Sequence, residues 1–93
     1  MSQGDRVARA SRARELLEEQ TMRAAFNGVR EALVLRLEQC AIGDVATQHE
    51  IALTLQLLKQ LRAHLQSFVD DGTLAEREQQ QERWIERMRK RIA

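Results

Sequence analysis

The chain has 93 residues, of which 43% are hydrophobic and 31% are charged, and its formal net charge is +1. The absence of proline and tyrosine and the many Leu, Ala, Glu, Gln and Arg residues favour helices over strands and exclude a disordered chain. The length supports one modest core, and a single cysteine excludes an internal disulfide. No leader-like segment or long apolar run is found, so we expect neither secretion nor membrane insertion.

The N-terminal half contains two predicted helices. Residues 1–5 have no apolar pattern, and the first helix is predicted to be short, from Arg6 to the polar cluster at residues 18–21. Its apolar side consists of Val7, Ala10, Ala13, Leu16 and Leu17. The second helix is predicted to end near Ala41, and its apolar stripe consists of Met22, Ala25, Phe26, Val29, Ala32, Leu33, Leu37 and Cys40.

Two further helices are predicted after the turn at Gly43 and Asp44. Thr47 and Glu50 have the spacing of a capping box, so the third helix is expected at about residues 48–71. Gly72 is expected to end it, and a second capping box at residues 73–76 is expected to start a fourth helix that reaches Ile92. The sequence therefore predicts an all-α fold, namely a small helical bundle built on an antiparallel hairpin of the second and third helices, with a short N-terminal helix and a long C-terminal one. Residues 1–76 are predicted to form the bundle domain, and residues 77–93 an amphipathic basic helical extension.

Several short patterns in residues 12–76 resemble a family of small all-helical proteins of tailed bacteriophages and prophages. They are RARELLEE, AAF near residue 26, the GD turn, and LxxLKxLRxHL followed by DGxLA. The resemblance implies a phage origin and an all-α fold, and it implies no catalytic residue. It also leaves residues 77–93 without a counterpart.

The second predicted helix carries six candidates for helix packing or oligomer contact, which are Ala24, Gly28, Ala32, Val34, Leu35 and Arg36. The small residues recur every four positions and form a smooth ridge, on which Gly28 permits close approach of another helix. Arg36 projects from the apolar stripe, so its charge needs a carboxylate or access to water. Glu50 or an acid of a second chain is the expected partner.

The C-terminal extension carries the candidate partner-binding residues, which are Trp84, Ile85, Met88 and Ile92 on one face and the basic column Arg83, Arg87 and Arg91. Tryptophan set among arginines is typical of interface hot spots. Three hypotheses follow: the extension inserts into another copy or a larger phage protein, its arginines bind nucleic-acid phosphates together with the basic N-terminus, or it folds back so that Trp84 fills the chain's own core.

Motifs for chemistry are absent. His49 and His64 are fifteen residues apart, which is unlike the spacing of zinc ligands on one helix, and Cys40 has no activating base beside it in the sequence. We therefore expect no catalytic residue, no metal site, no cofactor and no small-molecule substrate.

The expected function is that of a non-enzymatic phage accessory or virion-associated protein that binds itself or a larger phage protein. It would act in the host cytoplasm or in the virion, with no membrane partner. Two alternatives stay open, which are nucleic-acid binding through the basic termini and inhibition of a host enzyme or defence complex.

Overall fold

The structure is a computed structural model that describes residues 1–92. These residues form three α-helices and no strand: α1 (Gln3–Glu18), α2 (Gln20–Gln39) and α3 (Val45–Ile92). The predicted all-α class is confirmed. The prediction of four helices is wrong, because the third and fourth predicted helices are one continuous helix of 48 residues.

Gly72 does not end a helix. A glycine commonly ends a helix by adopting a left-handed backbone conformation, and no residue from 1 to 92 has a positive φ angle. The predicted cap at Thr73 is also absent, since its hydroxyl donates to the carbonyl oxygen of Val69 at 3.2 Å, within the same helix. α3 therefore passes through the segment that the sequence suggested as a break.

Carboxylates cap the starts of α2 and α3. Asp44 accepts a hydrogen bond from the backbone N–H of Thr47 at 3.1 Å, so it is Asp44 and not Thr47 that caps α3. Ahead of α2, the Glu19 carboxylate accepts from the N–H groups of Thr21 (2.9 Å) and Met22 (2.6 Å). These bonds lower the pKa of Glu19, because they favour the ionised form.

The chain divides into two compact units. We call Leu16–His64 the α2 unit, and Met1–Glu15 together with the residues from Leu65 onward the α1 unit. α3 contributes its first part to the α2 unit and its remainder to the α1 unit. The predicted separation of residues 77–93 as an extension stays a prediction.

The α2 unit is held by a few apolar side chains. Phe26 of α2 and Ile51 of α3 are its buried large residues. Near the turn, the Gln48 amide donates to the carbonyl of Ile42 at 2.8 Å. Farther from it, the guanidinium of Arg62 lies 5.2 Å from the centre of the Phe26 ring. The start of α2 therefore meets the later part of the α3 segment, and a bundle built on an antiparallel hairpin stays a prediction.

The α1 unit is built on small residues. Ala10 and Ala13 of α1 are buried, as are Gly72 and Ala75 of α3. A Cβ atom added to Gly72 would overlap the Cβ of Ala10. The helices thus approach more closely at Gly72 than a side chain would allow, which explains why a glycine lies inside a helix.

Candidate protein-interaction surface

The C-terminal segment of α3 exposes every side chain from residue 80 to residue 92. Trp84 is 60% exposed and Ile92 is 81% exposed, and Ile85 and Met88 also reach the solvent. The hypothesis that Trp84 fills the core of its own chain is wrong, because most of the indole is accessible. The four apolar residues of the predicted partner-binding set are thus presented on a formed helix, and their binding to a partner stays a prediction.

The basic column of the same segment is also exposed. Arg83, Arg87 and Arg91 follow each other at intervals of four residues, and none of them forms an ion pair within residues 1–92. By contrast, Lys90 lies 3.9 Å from the Glu86 carboxylate. The three arginines therefore present exposed guanidinium groups beside the apolar face.

Two of the N-terminal arginines, Arg6 and Arg9, pair with carboxylates within the α1 unit. Arg6 contacts the carboxylates of Asp71 at 2.8 Å and of Glu78 at 2.9 Å. Arg9 reaches Asp71 at 3.3 Å and stacks on the ring of Phe68, 4.3 Å from its centre. These contacts attach α1 to α3. Sequence reasoning missed them, because acids and bases some sixty residues apart give no local signal.

The stability that Asp71 contributes through its contact with Arg6 depends on pH. Its hydrogen bond with Arg6 lowers the pKa of its carboxyl group, so its ionised form contributes stability above the pKa of the unfolded chain, about 3.9. That contribution is lost as the pH falls through the lower pKa of the folded state. We expect Asp71→Asn to be less stable than the wild type at pH 7, and the difference to shrink below about pH 4, as urea unfolding across a pH series would measure.

The matched control is Asp70→Asn. The Asp70 carboxylate is exposed and accepts a hydrogen bond from Gln66 of the same helix at 3.2 Å. Its replacement is expected to leave stability near the wild-type value. A difference between Asp71→Asn and the wild type that stays constant from pH 7 to pH 2 would contradict the assignment.

The small-residue ridge of α2 lies on the surface of the part of the chain that the structure describes. Ala24, Gly28 and Ala32 are exposed, and a Cβ added to Gly28 would meet no atom within 4 Å. The close approach that the sequence suggested for Gly28 is found instead at Gly72. An oligomer contact at the ridge stays a prediction.

The other candidates of α2 for oligomer contact differ in their exposure. Val34 is half-buried, whereas Leu35 and Arg36 are exposed. Thr47 hydrogen bonds are the main cause of a lowered pKa at Asp44, and the positive charge of Arg36 contributes to it. Arg36 thus has access to water, one of the two alternatives that the sequence leaves open, and lies in reach of the charge of Asp44. A contact of Arg36 with Glu50 or with an acid of a second chain stays a prediction.

The α2 unit also has a basic groove that sequence reasoning missed. It has a volume of about 340 Å³ and is lined by Arg30, Leu55, Gln56, Leu58, Lys59 and Arg62. A second, apolar groove of about 250 Å³ is lined by Met22, Ala25, Phe26, Val29, Leu58 and Leu61. The three cations of the first groove come from two helices, so no spacing in the sequence brings them together.

Within residues 1–92 no group of three or more His, Cys, Asp or Glu side chains is arranged to hold a metal ion. None of the helices in this part of the chain combines the length and the apolar character that a membrane crossing requires. Comparisons with protein-family models, with curated proteins and with solved structures find no match for the chain.

Proposed function

We propose that this chain is a non-enzymatic phage accessory or virion-associated protein that acts by helix-mediated protein–protein binding and self-assembly. The observation that carries the proposal is the exposed apolar face from Trp84 to Ile92, which lies on a formed helix beside exposed arginines. The phage context rests on the resemblance of residues 12–76. It implies the host cytoplasm or the virion as the place of action.

The physical argument begins with the residue types. Tryptophan and arginine are enriched among interface residues that contribute most of the binding energy, because each buries a large area and directs a polar group. Trp84 exposes most of its indole, so a partner that covers it gains apolar burial. The segment is already helical, so less conformational entropy is lost on binding than if it had to fold.

Nucleic-acid binding is the second candidate, and the exposed column of Arg83, Arg87 and Arg91 favours it. The basic N-terminus contributes little to this candidate, since Arg6 and Arg9 are already paired with carboxylates. Aromatic residues on which bases could stack are 3% of the chain. Protein binding is therefore the better supported of the two.

Trp84→Ala is the variant that tests the proposal. We expect it to abolish or weaken by at least about tenfold the association of the full chain, either with itself in sedimentation experiments or with a phage protein in a pull-down. Its thermal stability as a monomer is expected to stay close to the wild-type value, because Trp84 is 60% exposed. Circular dichroism and sedimentation velocity would measure the two effects separately.

Ile42→Ala is the matched control, because Ile42 is the most exposed large apolar residue and lies in the turn before α3. It is expected to leave association unchanged. Association that is insensitive to Trp84→Ala would contradict the proposal. Binding to duplex DNA or RNA that falls with salt at a log–log slope of roughly −0.9 per phosphate, and that Arg87→Ala weakens on all sequences, would favour the second candidate.

A further inference from the structure

The C-terminal segment carries a heptad pattern on its exposed face. Gln81, Ile85, Met88 and Ile92 follow one another at intervals of four, three and four residues, and all four side chains are exposed. Alternation of three and four residues is the repeat with which one helix packs along another in a coiled coil. The face therefore fits a second helix that runs along it.

We propose that the helix which covers this face is the same segment of a second copy of the chain, packed antiparallel over residues 81–92. The inference rests on the proposed function and names the partner. The heptad has two core positions, a and d, and in an antiparallel pair position a of one helix faces position d of the other. Ile85 of one copy then faces Met88 of the other, and Gln81 faces Ile92. A two-fold axis repeats each contact, which gives four layers in all.

The flanking residues fit the same register. On one side of the core, Glu82 of one copy lies opposite Arg89 of the other. On the other side, Trp84 lies opposite Arg91, which allows a cation–π contact. Each of these pairs also occurs twice. Neither Glu82 nor Arg89 forms an ion pair within residues 1–92, although Glu82 accepts a hydrogen bond from the Gln3 amide at 3.2 Å.

The helix dipoles favour the antiparallel direction, because they oppose each other in an antiparallel pair and align in a parallel one. Of the acids before Arg83, Glu82 lies within the overlap of residues 81–92, and Glu78 is already paired with Arg6. The contact between Glu82 of one copy and Arg89 of the other is therefore the charge pair that the antiparallel register supplies.

Arg89 distinguishes the two directions. In a parallel pair, Glu82 would face Arg77 of the other copy and Arg89 would face Trp84. Only the antiparallel pair joins Glu82 to Arg89. Reversal of both charges in the double variant Glu82→Arg/Arg89→Glu therefore preserves attraction in the antiparallel pair and creates repulsion with Arg77 in the parallel one.

The experiment measures the dimerisation of the full chain by sedimentation equilibrium in low salt. Glu82→Arg and Arg89→Glu are each expected to weaken dimerisation about tenfold, because each turns two attractive contacts into two repulsive ones. The double variant is expected to return to within about threefold of the wild type. A double variant as weak as either single variant would overturn the antiparallel register.

A cross-link supplies an independent readout of direction. In a Cys40→Ser background, a chain with Ile85→Cys is mixed with one that carries Met88→Cys, and both are oxidised. The antiparallel pair is expected to give mainly the mixed disulfide, whereas like-with-like disulfides would overturn it. A wild-type chain that stays monomeric at every concentration overturns the inference, too. If that monomer still binds a phage protein through Trp84, the proposed function stands without it; if it binds no protein, both fail.

Discussion

Replacement of Gly72 by alanine is expected to destabilise the protein by about 1–3 kcal/mol, the usual cost of excess volume in a packed contact. The added methyl group would overlap the Cβ of Ala10. α1 would have to shift away from α3, and the contacts of Arg6 with Asp71 and Glu78 would lengthen. Urea unfolding monitored by circular dichroism measures the loss.

Gly28→Ala is the matched control, because Gly28 is also inside a helix but has open space beside it. Alanine is a better helix former than glycine by roughly 0.5–1 kcal/mol, so this variant is expected to be more stable than the wild type. Replacement of glycine by alanine is therefore expected to raise the free energy of unfolding at Gly28 and to lower it at Gly72. Stabilisation by Gly72→Ala would contradict the close approach of α1 to α3.

A second-site change tests the cause of the loss. The double variant Gly72→Ala/Ala10→Gly removes the methyl group with which the new one would collide. The next neighbours of the added atom, the Cα of Ala10 and the carbonyl oxygen of Arg6, both lie at 3.5 Å, which is ordinary contact. We expect the double variant to be less destabilised than the sum of the two single variants, since Ala10→Gly alone costs about 1 kcal/mol of helix propensity.

Ile51→Ala is expected to have the largest effect on the α2 unit, a loss of about 2–5 kcal/mol in the free energy of unfolding. Ile51 is 1% exposed and is the largest fully buried side chain within residues 1–92. Truncation removes its apolar burial and leaves a cavity that two helices cannot easily close. Thermal unfolding of the variant would show a lower midpoint.

Leu57→Ala provides the comparison on the same helix, because Leu57 is 63% exposed. Its effect is expected to stay within about 0.5 kcal/mol, as for most surface substitutions. Ile51→Val, which removes one methyl group, is expected to cost about 0.5–1.5 kcal/mol. Equal losses for Ile51→Ala and Leu57→Ala would show that Ile51 is not part of a packed core.

Apolar periodicity predicted most of the secondary structure. The apolar side of α1 and the apolar stripe of α2 both identify real helices, because side chains three and four residues apart share a face whatever the rest of the chain does. Of the three sequence hypotheses for the C-terminal segment, only the third places Trp84 in the core of its own chain. Local propensity alone could not decide whether Trp84 is buried or exposed, since a helix with one apolar face packs equally well on its own chain or on another.

The glycines show where local reasoning fails. Gly28 was expected to pack closely and is exposed, whereas Gly72 was expected to end a helix and is buried at a helix crossing. Both are interior residues of helices in the structure. Only the position of α1, some sixty residues away along the chain, makes one of them a contact and leaves the other open.

The sequence by itself determined the all-helical class, the turn at Gly43 and Asp44, and an amphipathic C-terminal segment, since all of these follow from short-range spacing and residue type. The tertiary structure decided that α3 is continuous, that Arg6 and Arg9 bind Asp71 instead of remaining free, and that Trp84 is left on the surface. These outcomes depend on which helix faces meet, and that is fixed by packing between residues distant in the chain. No local pattern encodes it.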